Sequence, residues 1–267
     1  MPLVRWRKPH WRRVATAYLD CHIDRFAPLK RISAGGAGHL VVLAPHPDDE
    51  SIGCGGLIGA WTARGGSATV IVLTDGAAGD PALREASMSS QAREERTRAL
   101  VSTRRAETEQ ALGILNARAL WLDGTDGALG RDVPRLTGAL SKILQDAPAT
   151  LIAAPFPADR HPDHAATAQV LAGTASDLAP DTRVLAYEVW SPARITAVLD
   201  ITDVASLKWQ AIACHASQTA TTDYETASRG LAAYRAISGG LEAGRLAEGF
   251  WDTNLRRYAA LTGDLAL

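Results

Sequence analysis

Two short segments of this chain concentrate the side chains that bind divalent metal ions. Residues 44–50 read APHPDDE, and residues 159–164 read DRHPDH. Zinc accepts imidazole nitrogen and carboxylate oxygen, and a catalytic zinc site keeps three protein ligands and one open position. Together the two segments predict a metal site that is suited to hydrolysis.

The metal ligands follow from residue type and spacing. His46 and Asp49 are three residues apart, so one turn at the start of a helix can direct both at a common point. His164, in the second segment, is the predicted third ligand. Zinc (Zn²⁺) is the expected ion. Two imidazoles and one carboxylate also suit ferrous iron (Fe²⁺) or cobalt, so the native metal stays open.

Three further side chains are predicted to take part in the chemistry. Asp48 lies between the first two ligands and is expected to act as the general base on the attacking water. His161 is expected to stabilise the oxyanion that forms when water attacks an amide carbonyl. Asp163 either orients His161 or contacts the backbone or the metal ligands, and the sequence leaves these roles open.

Each segment taken alone has a simpler interpretation. Proline and aspartate are common in turns, so residues 46–49 could form an ordinary turn. Residues 161–164 could start a capped helix with no further role. The argument for chemistry depends on finding both segments in one chain, each shortly after a predicted strand.

Apolar segments alternate with helical segments along most of the chain, which predicts an α/β fold. Continuously apolar runs are typical of parallel strands buried on both faces, so we expect a mostly parallel sheet with helices on both faces. Ligand sites in such sheets form at the carboxyl ends of the strands, where both segments lie. The predicted strands cover residues 39–44, 68–73, 120–122, 150–154 and 183–189, and the predicted helices cover residues 56–63, 91–115, 133–144 and 165–175.

The two ends of the chain follow different patterns. Residues 1–33 are basic and show helical spacing of apolar side chains, which predicts an N-terminal helical arm, and a glycine-rich break follows. We therefore expect an arm over residues 1–38 and one domain over residues 39–267. The C-terminal portion is predicted to be helical, over residues 204–216, 224–237 and 246–261. The polar residues 79–90 are predicted to form a mobile loop beside the site.

The composition is that of a soluble globular protein. The chain has 267 residues, a net charge of -1 and 46% apolar residues, so the charge balance gives no argument for a nucleic-acid partner. No apolar run approaches the ~20 residues that a membrane-spanning helix needs, which predicts no transmembrane segment. Three scattered cysteines fit a reducing compartment, so we expect a cytoplasmic protein. Assembly into a homo-oligomer is left open.

The segments APHPDDE, SIGCGG and HPDH, in that order, resemble the PIG-L/LmbE-like de-N-acetylase family. Weaker similarity continues through TDG at residues 74–76, LDGTDG at residues 122–127 and AEGF at residues 247–250, so that the resemblance covers roughly residues 39–255. It implies a Rossmann-like sheet and a metal-dependent removal of acetyl from an N-acetylglucosamine-type sugar or glycoconjugate. The partner is then a small molecule.

The resemblance also implies roles for individual residues. It assigns metal binding, general base and oxyanion assistance to the same side chains that the spacing suggests. Relatives place a substrate-contacting arginine near the start of the long helix, which points to Arg104 or Arg105. Asp126 is a further candidate for binding sugar hydroxyls.

Other functions compete with this one. The same scaffold could serve a metal amidase that cleaves a larger N-acyl group or a conjugate amide. The glycines at residues 53–59 weakly resemble a dinucleotide-binding loop, although the acidic residues 46–50 would repel a pyrophosphate. A non-catalytic adaptor that recruits a partner through its basic arm is a third alternative.

Overall fold

The computed structural model describes residues 28–265, and one eight-stranded sheet organises them. The strands are β1 (Lys30–Ile32), β2 (His39–Ala44), β3 (Ser67–Thr74), β4 (Arg118–Gly124), β5 (Leu151–Pro155), β6 (Arg183–Tyr187), β7 (Ala197–Asp200) and β8 (Ala247–Asn254). The helices are α1 (Asp49–Thr62), α2 (Ser90–Ile114), α3 (Val133–Asp146), α4 (Pro162–Gly173), α5 (Ala205–Cys214), α6 (Ala216–Thr219), α7 (Tyr224–Ser238) and α8 (Leu255–Leu265).

The order of the strands determines where the site lies. The order across the sheet is β1-β7-β8-β6-β5-β2-β3-β4, and every neighbouring pair is parallel except the two that involve β8. From β2 the chain runs outward through β3 and β4, and it then returns to β5 on the other side of β2. This reversal creates a crevice between the carboxyl ends of β2 and β5, the usual ligand site of open α/β sheets.

Helices cover both faces of the sheet, as the alternation of strand and helix predicts. On β2, Leu40 and Val42 point to the apolar cluster that includes residues of α1, α2 and α5. Val41 and Leu43 point to the opposite cluster, which includes residues of α3, α4 and α8. Because β2 is buried on both faces, its sequence is continuously apolar and does not alternate with polar residues.

Helix α1 contains a break at Cys54, where φ is -147° and ψ is 25°. The break leaves the amides at the start of the second half without partners inside the helix. The Glu248 side chain in β8 accepts from the N–H groups of Gly56 and Leu57, both at 2.8 Å. Its Oε1 also contacts Nζ of Lys208 at 2.6 Å, and both charged side chains are buried.

The glycines around this break are required by close packing. A Cβ on Gly53 would overlap the ring of Tyr187 in β6, and one on Gly56 would lie 2.6 Å from Cγ2 of Ile201. These glycines lie inside a helix and not in a loop at the end of a strand. They therefore do not form a phosphate-binding turn of the dinucleotide type.

The ends of the chain differ in part from the sequence prediction. The C-terminal portion is largely helical, as expected, but it also contributes β7 and β8, which the sequence pattern did not indicate. Residues 246–261, predicted as one helix, divide into β8 and α8. Of the predicted N-terminal arm, residues 1–27 lie outside the described residues. Its last part, Lys30–Ile32, is strand β1, which pairs with β7.

Residues 79–90, which were predicted to form a mobile loop, contain regular structure. The predicted loop contains a short 3₁₀ helix, Pro81–Arg84, which is capped by the Asp80 side chain through the N–H of Ala82 at 2.9 Å.

Across the described residues, none of the helices combines the length and apolar character that crossing a bilayer requires.

Candidate active site

The two polar segments meet at the crevice between β2 and β5. The first segment follows β2 and leads directly into α1, while the second follows β5 and leads into α4. Because β2 and β5 are hydrogen-bonded neighbours, with Val42 paired to Ala153, their carboxyl ends place both segments side by side. The predicted juxtaposition of the two segments therefore exists in the structure.

Asp49, His46 and His164 form the centre of the site. Oδ2 of Asp49 lies 3.0 Å from Nδ1 of His46 and 3.1 Å from Nε2 of His164. His161 lies beside them, and the three imidazoles have ligand atoms within 4.8 Å of one another. His46, Asp49 and His164 are all buried, and His164 has no exposed surface.

The surroundings of His164 test whether the site suits a cation. Neither of its ring nitrogens makes a well-aligned hydrogen bond to any residue from 28 to 265, although both are buried. Nδ1 is 3.6 Å from Oδ2 of Asp159, and Nε2 faces Asp49. A buried nitrogen with poor hydrogen-bond geometry beside a carboxylate is a suitable ligand atom for a divalent ion, so the residues fit the predicted metal.

Asp163 contacts the opposite side of the His46 ring. Its Oδ2 is 3.2 Å from Nε2 of His46 and accepts from the N–H of Gly127 at 2.7 Å. Its Oδ1 accepts from the N–H of Leu129 at 3.0 Å. A carboxylate behind a ligating histidine fixes the tautomer and orientation of the ring. Of the roles that the sequence left open for Asp163, the structure shows contacts with the backbone and with His46, a predicted metal ligand.

Asp126 shares this position behind His46. Its Oδ1 lies 3.3 Å from Nε2 of His46, and its Oδ2 accepts from the N–H of Ala78 at 2.8 Å. His46, Asp126 and Asp163 could themselves surround an ion. The described residues therefore offer two overlapping groups that could hold an ion, and both include His46.

His161 is set up as a neutral donor. Its Nδ1 accepts from the N–H of Asp163 at 3.2 Å at the start of α4, so the ring proton of the neutral form resides on Nε2. Burial lowers the pKa of His161, and the nearby charges of His46 and His164 lower it further. An imidazole of this kind can donate a hydrogen bond to an oxyanion at neutral pH.

Asp48 is held in an unusual backbone conformation by Arg104. Its φ is 149°, a region that L-residues rarely adopt. Arg104, buried at 3% exposure, donates from Nη2 to the Pro47 carbonyl at 2.9 Å and to Oδ2 of Asp48 at 3.2 Å. Its Nη1 donates to the Gly76 carbonyl at 3.0 Å. The guanidinium thus connects the loop after β2 with the loop after β3.

The environment of Asp48 suits a proton acceptor. Burial raises the pKa of Asp48 to about 6, although the positive charge of Arg104 opposes this effect. A carboxylate with a pKa near the working pH accepts a proton more effectively than one at its ordinary value.

A cavity of about 350 Å³ opens above these groups. Arg104 and Asp126, two of the predicted substrate-binding residues, line it, but Arg105 does not. Arg105 lies on the outer side of α2, stacked 4.7 Å from the centre of the Trp121 ring and paired with Asp123. The structure therefore favours Arg104 of the two arginines that the resemblance left open.

Several residues of the site were not among the site residues that the sequence predicted. Asp159 accepts from the N–H groups of His161 and Trp190 at 3.0 and 3.1 Å and faces His164, so it supports the second segment. Trp190 is half exposed at the cavity, stacks on His161 and meets Tyr224 edge to face. Asp159 precedes the HPDH motif by two residues, which was a usable signal. Trp190 and Tyr224 carry no comparable pattern.

Comparison with known proteins places this geometry in a family. The family described as PIG-L, GlcNAc-PI de-N-acetylase, matches residues 41–174, half of the chain. The matched region includes both polar segments and the helices that follow them.

Two relatives have similar sequences. The probable N-acetyl-alpha-D-glucosaminyl L-malate deacetylase 2 of Bacillus anthracis is 29% identical over 199 residues, which covers 68% of this chain and 82% of that protein. The 1D-myo-inositol 2-acetamido-2-deoxy-alpha-D-glucopyranoside deacetylase of Tsukamurella paurometabola is 28% identical over 253 residues, which covers 70% of this chain and 85% of that protein.

A similar solved structure is that of the N,N'-diacetylchitobiose deacetylase from Pyrococcus horikoshii in complex with an inhibitor. It has a TM-score of 0.68 and 25% sequence identity, and the alignment covers 92% of this chain and 94% of that one. The two proteins therefore share their fold over most of both chains.

Proposed function

Because the chain belongs to the PIG-L family of de-N-acetylases, we propose that it is a metal-dependent hydrolase that removes the acetyl group from an N-acetylglucosamine-type sugar or sugar conjugate. The observation that carries this proposal is the meeting of His46, Asp49 and His164 at the carboxyl ends of β2 and β5, beneath an open cavity. Relatives named as deacetylases of N-acetylated sugars support the choice of substrate.

In the proposed reaction, His46, Asp49 and His164 hold a divalent ion, for which zinc is our first candidate. Such an ion would act as a Lewis acid and lower the pKa of a water molecule to about 7. Asp163 contacts Nε2 of the His46 ring, so the other ring nitrogen, Nδ1, which faces Asp49, would be the one that holds the ion.

Proton transfer is assigned to Asp48. Its carboxylate accepts a proton from water as the oxygen forms a bond to the acetamide carbonyl carbon. The C–N bond then breaks, the proton passes to the leaving nitrogen, and acetate and a free amino sugar result. Arg104 holds the Asp48 carboxylate in place through its 3.2 Å contact and favours the ionised form.

Oxyanion stabilisation is assigned to His161. Because its Nδ1 accepts a backbone N–H, the proton on Nε2 is available to the carbonyl oxygen as negative charge develops there. Asp126 and the rim of the cavity would bind sugar hydroxyls. The cytoplasm remains the proposed location. Of the arm predicted over residues 1–38, Lys30–Ile32 belong to the sheet, and the part outside the described residues stays a prediction.

The test is acetate release from a panel of N-acetylated amino sugars. We expect zinc-loaded protein to release acetate and amine in equal amounts, chelator-treated protein to be inactive, and added zinc to restore turnover. Substrates with N-butyryl in place of N-acetyl distinguish the alternative amidase, which would prefer the longer acyl group. Undiminished turnover after complete chelation, or no release from any sugar, would overturn the proposal.

A further inference from the structure

The segment between β3 and α2, residues 75–89, is held against α2 by two arginines. Arg96 of α2 pairs with the Asp80 side chain, which also caps the 3₁₀ helix Pro81–Arg84. Arg93 of α2 donates to the carbonyl of Glu85 at 2.9 Å. Both guanidinium groups are therefore engaged in holding this segment.

Arg84, in the same segment, has no such role. Its side chain is exposed and lines the cavity, and it makes no hydrogen bond or ion pair to any residue from 28 to 265. The other arginine that lines the cavity, Arg104, is engaged by Asp48 and two carbonyls. Of the described residues, Arg84 thus supplies the uncommitted positive charge at this cavity.

The cavity lining carries charges of both signs. The carboxylates of Asp48, Asp49 and Asp126 lie beside Arg104 or His46, so each already faces a cation or an imidazole. Arg84 has no such partner among the described residues, so an anionic group on a ligand could pair with it. The planar guanidinium also offers paired donors that match a carboxylate or phosphate.

We propose that Arg84 is a specificity-determining residue that binds an anionic group, a carboxylate or a phosphate, carried by the sugar substrate. This inference rests on the proposed function and adds the chemical class of the substrate. The acetamide occupies the metal end, and the anion lies against Arg84 in the segment that Arg93 and Arg96 hold in place.

The test compares anionic substrates with neutral ones. The carboxymethyl and carbamoylmethyl glycosides of N-acetylglucosamine form one pair, and N-acetylglucosamine 1-phosphate and 6-phosphate are compared with the methyl glycoside. We expect at least one anionic substrate to exceed its neutral partner in kcat/KM by about 5- to 10-fold, mainly through a lower KM. The carboxylate and phosphate arms identify which anion is preferred.

Substitution of Arg84 then tests the residue itself. In Arg84→Gln the anionic-to-neutral ratio should fall towards unity, and Arg84→Lys should retain part of it because the charge is kept. Arg98→Gln is the matched control, since Arg98 is exposed on α2 and does not line the cavity.

Two results would overturn the subsite and leave the proposed function intact: equal turnover of charged and neutral sugars by the unaltered protein, or a preference that survives Arg84→Gln. If neither member of any pair is deacetylated, the proposed function and the subsite both fail.

Discussion

His46 presents its two ring nitrogens to different carboxylates. Nδ1 faces Asp49, and Nε2 faces Asp163. Asp163 is in turn fixed by the N–H groups of Gly127 and Leu129. The orientation of His46, a proposed metal ligand, therefore depends on a loop that follows β4 and is far from it in sequence.

Asp163→Asn is expected to weaken metal binding without removing a ligand. The amide cannot accept from both backbone N–H groups and from His46 as the carboxylate does, so the imidazole loses its fixed tautomer. We predict a 10- to 100-fold rise, roughly, in the metal dissociation constant, measured by competition with a chelator. Asp146→Asn, at an exposed carboxylate on α3, is the control. Equal affinities for the two variants would rule out this role.

Asp48→Asn is expected to separate catalysis from metal binding. The substitution removes the proton acceptor but none of the three proposed ligands. We predict that kcat falls by about 10²- to 10⁴-fold while the metal content stays at the wild-type level. Steady-state kinetics and metal analysis of the same preparation measure both quantities. Turnover within a few-fold of wild type would show that another group accepts the proton.

For individual residues, the sequence predicts a role where the residue type and its position after a strand leave few alternatives. The spacing of His46, Asp49 and His164 was enough to predict their meeting, because two parallel strands end at the same edge. The choice between Arg104 and Arg105 was not available from spacing. Neighbours on a helix point about 100° apart, and only the packing of α2 decides which one faces the cavity.

Among the elements, helix α1 is unusual because it is broken at Cys54, shortly after the loop that follows β2. Glu248 of β8 caps the second half of α1 and pairs with Lys208 of α5. The carboxylate therefore connects three elements at a point about two turns beyond Asp49. The residues that hold this connection are far apart in the sequence.

Glu248→Gln is expected to destabilise the fold strongly. It leaves the buried Lys208 ammonium without its counter-charge and removes one acceptor from the α1 cap. We predict a loss of about 3–5 kcal/mol in the free energy of unfolding, measured by urea denaturation. Glu225→Gln removes an exposed partner of Arg229 and should cost less than about 1 kcal/mol. Similar costs for the two substitutions would contradict the structural role given to Glu248.

Gly53→Ala tests the close approach of α1 to β6. The added methyl group would overlap the Tyr187 ring, which is buried and fixed by its hydrogen bond to the Leu43 carbonyl at 2.6 Å. We predict a destabilisation of about 1–3 kcal/mol. Gly138→Ala in α3 meets no neighbouring atom and should instead stabilise by up to about 1 kcal/mol. Thermal unfolding of both variants measures the difference, and a neutral Gly53→Ala would contradict the packing.

The elements that the sequence predicted well are the central strands β2, β3 and β5, which have continuous apolar runs, and the helices after β3 and β5. Of α1, which begins at Asp49, the sequence predicted only the second half, over residues 56–63. β8 was missed because its sequence, AEGFWDTN, contains glycine and several polar residues that rarely form strands. These residues have tertiary reasons to be there. Glu248 caps α1, and a Cβ on Gly249 would lie 2.8 Å from Ile195. These tertiary contacts cannot be recognised from the local sequence pattern.

Across the whole molecule, the reversal of strand order between β2 and β5 converts a helix-covered sheet into an open cavity. The two loops lie there because the chain leaves β2 in one direction and returns on its other side. Because the proposed ligands come from both loops, the proposed site would be complete only when the sheet is assembled. Metal binding should therefore stabilise the folded chain.

Metal content reports directly on this shared site. We predict that the chain, equilibrated with zinc ions and dialysed, retains about one ion per chain. His164→Ala, which removes the contribution of the second loop, should retain far less under the same conditions. A folded His164→Ala protein that keeps the full wild-type complement of zinc would contradict a site built jointly by the two loops.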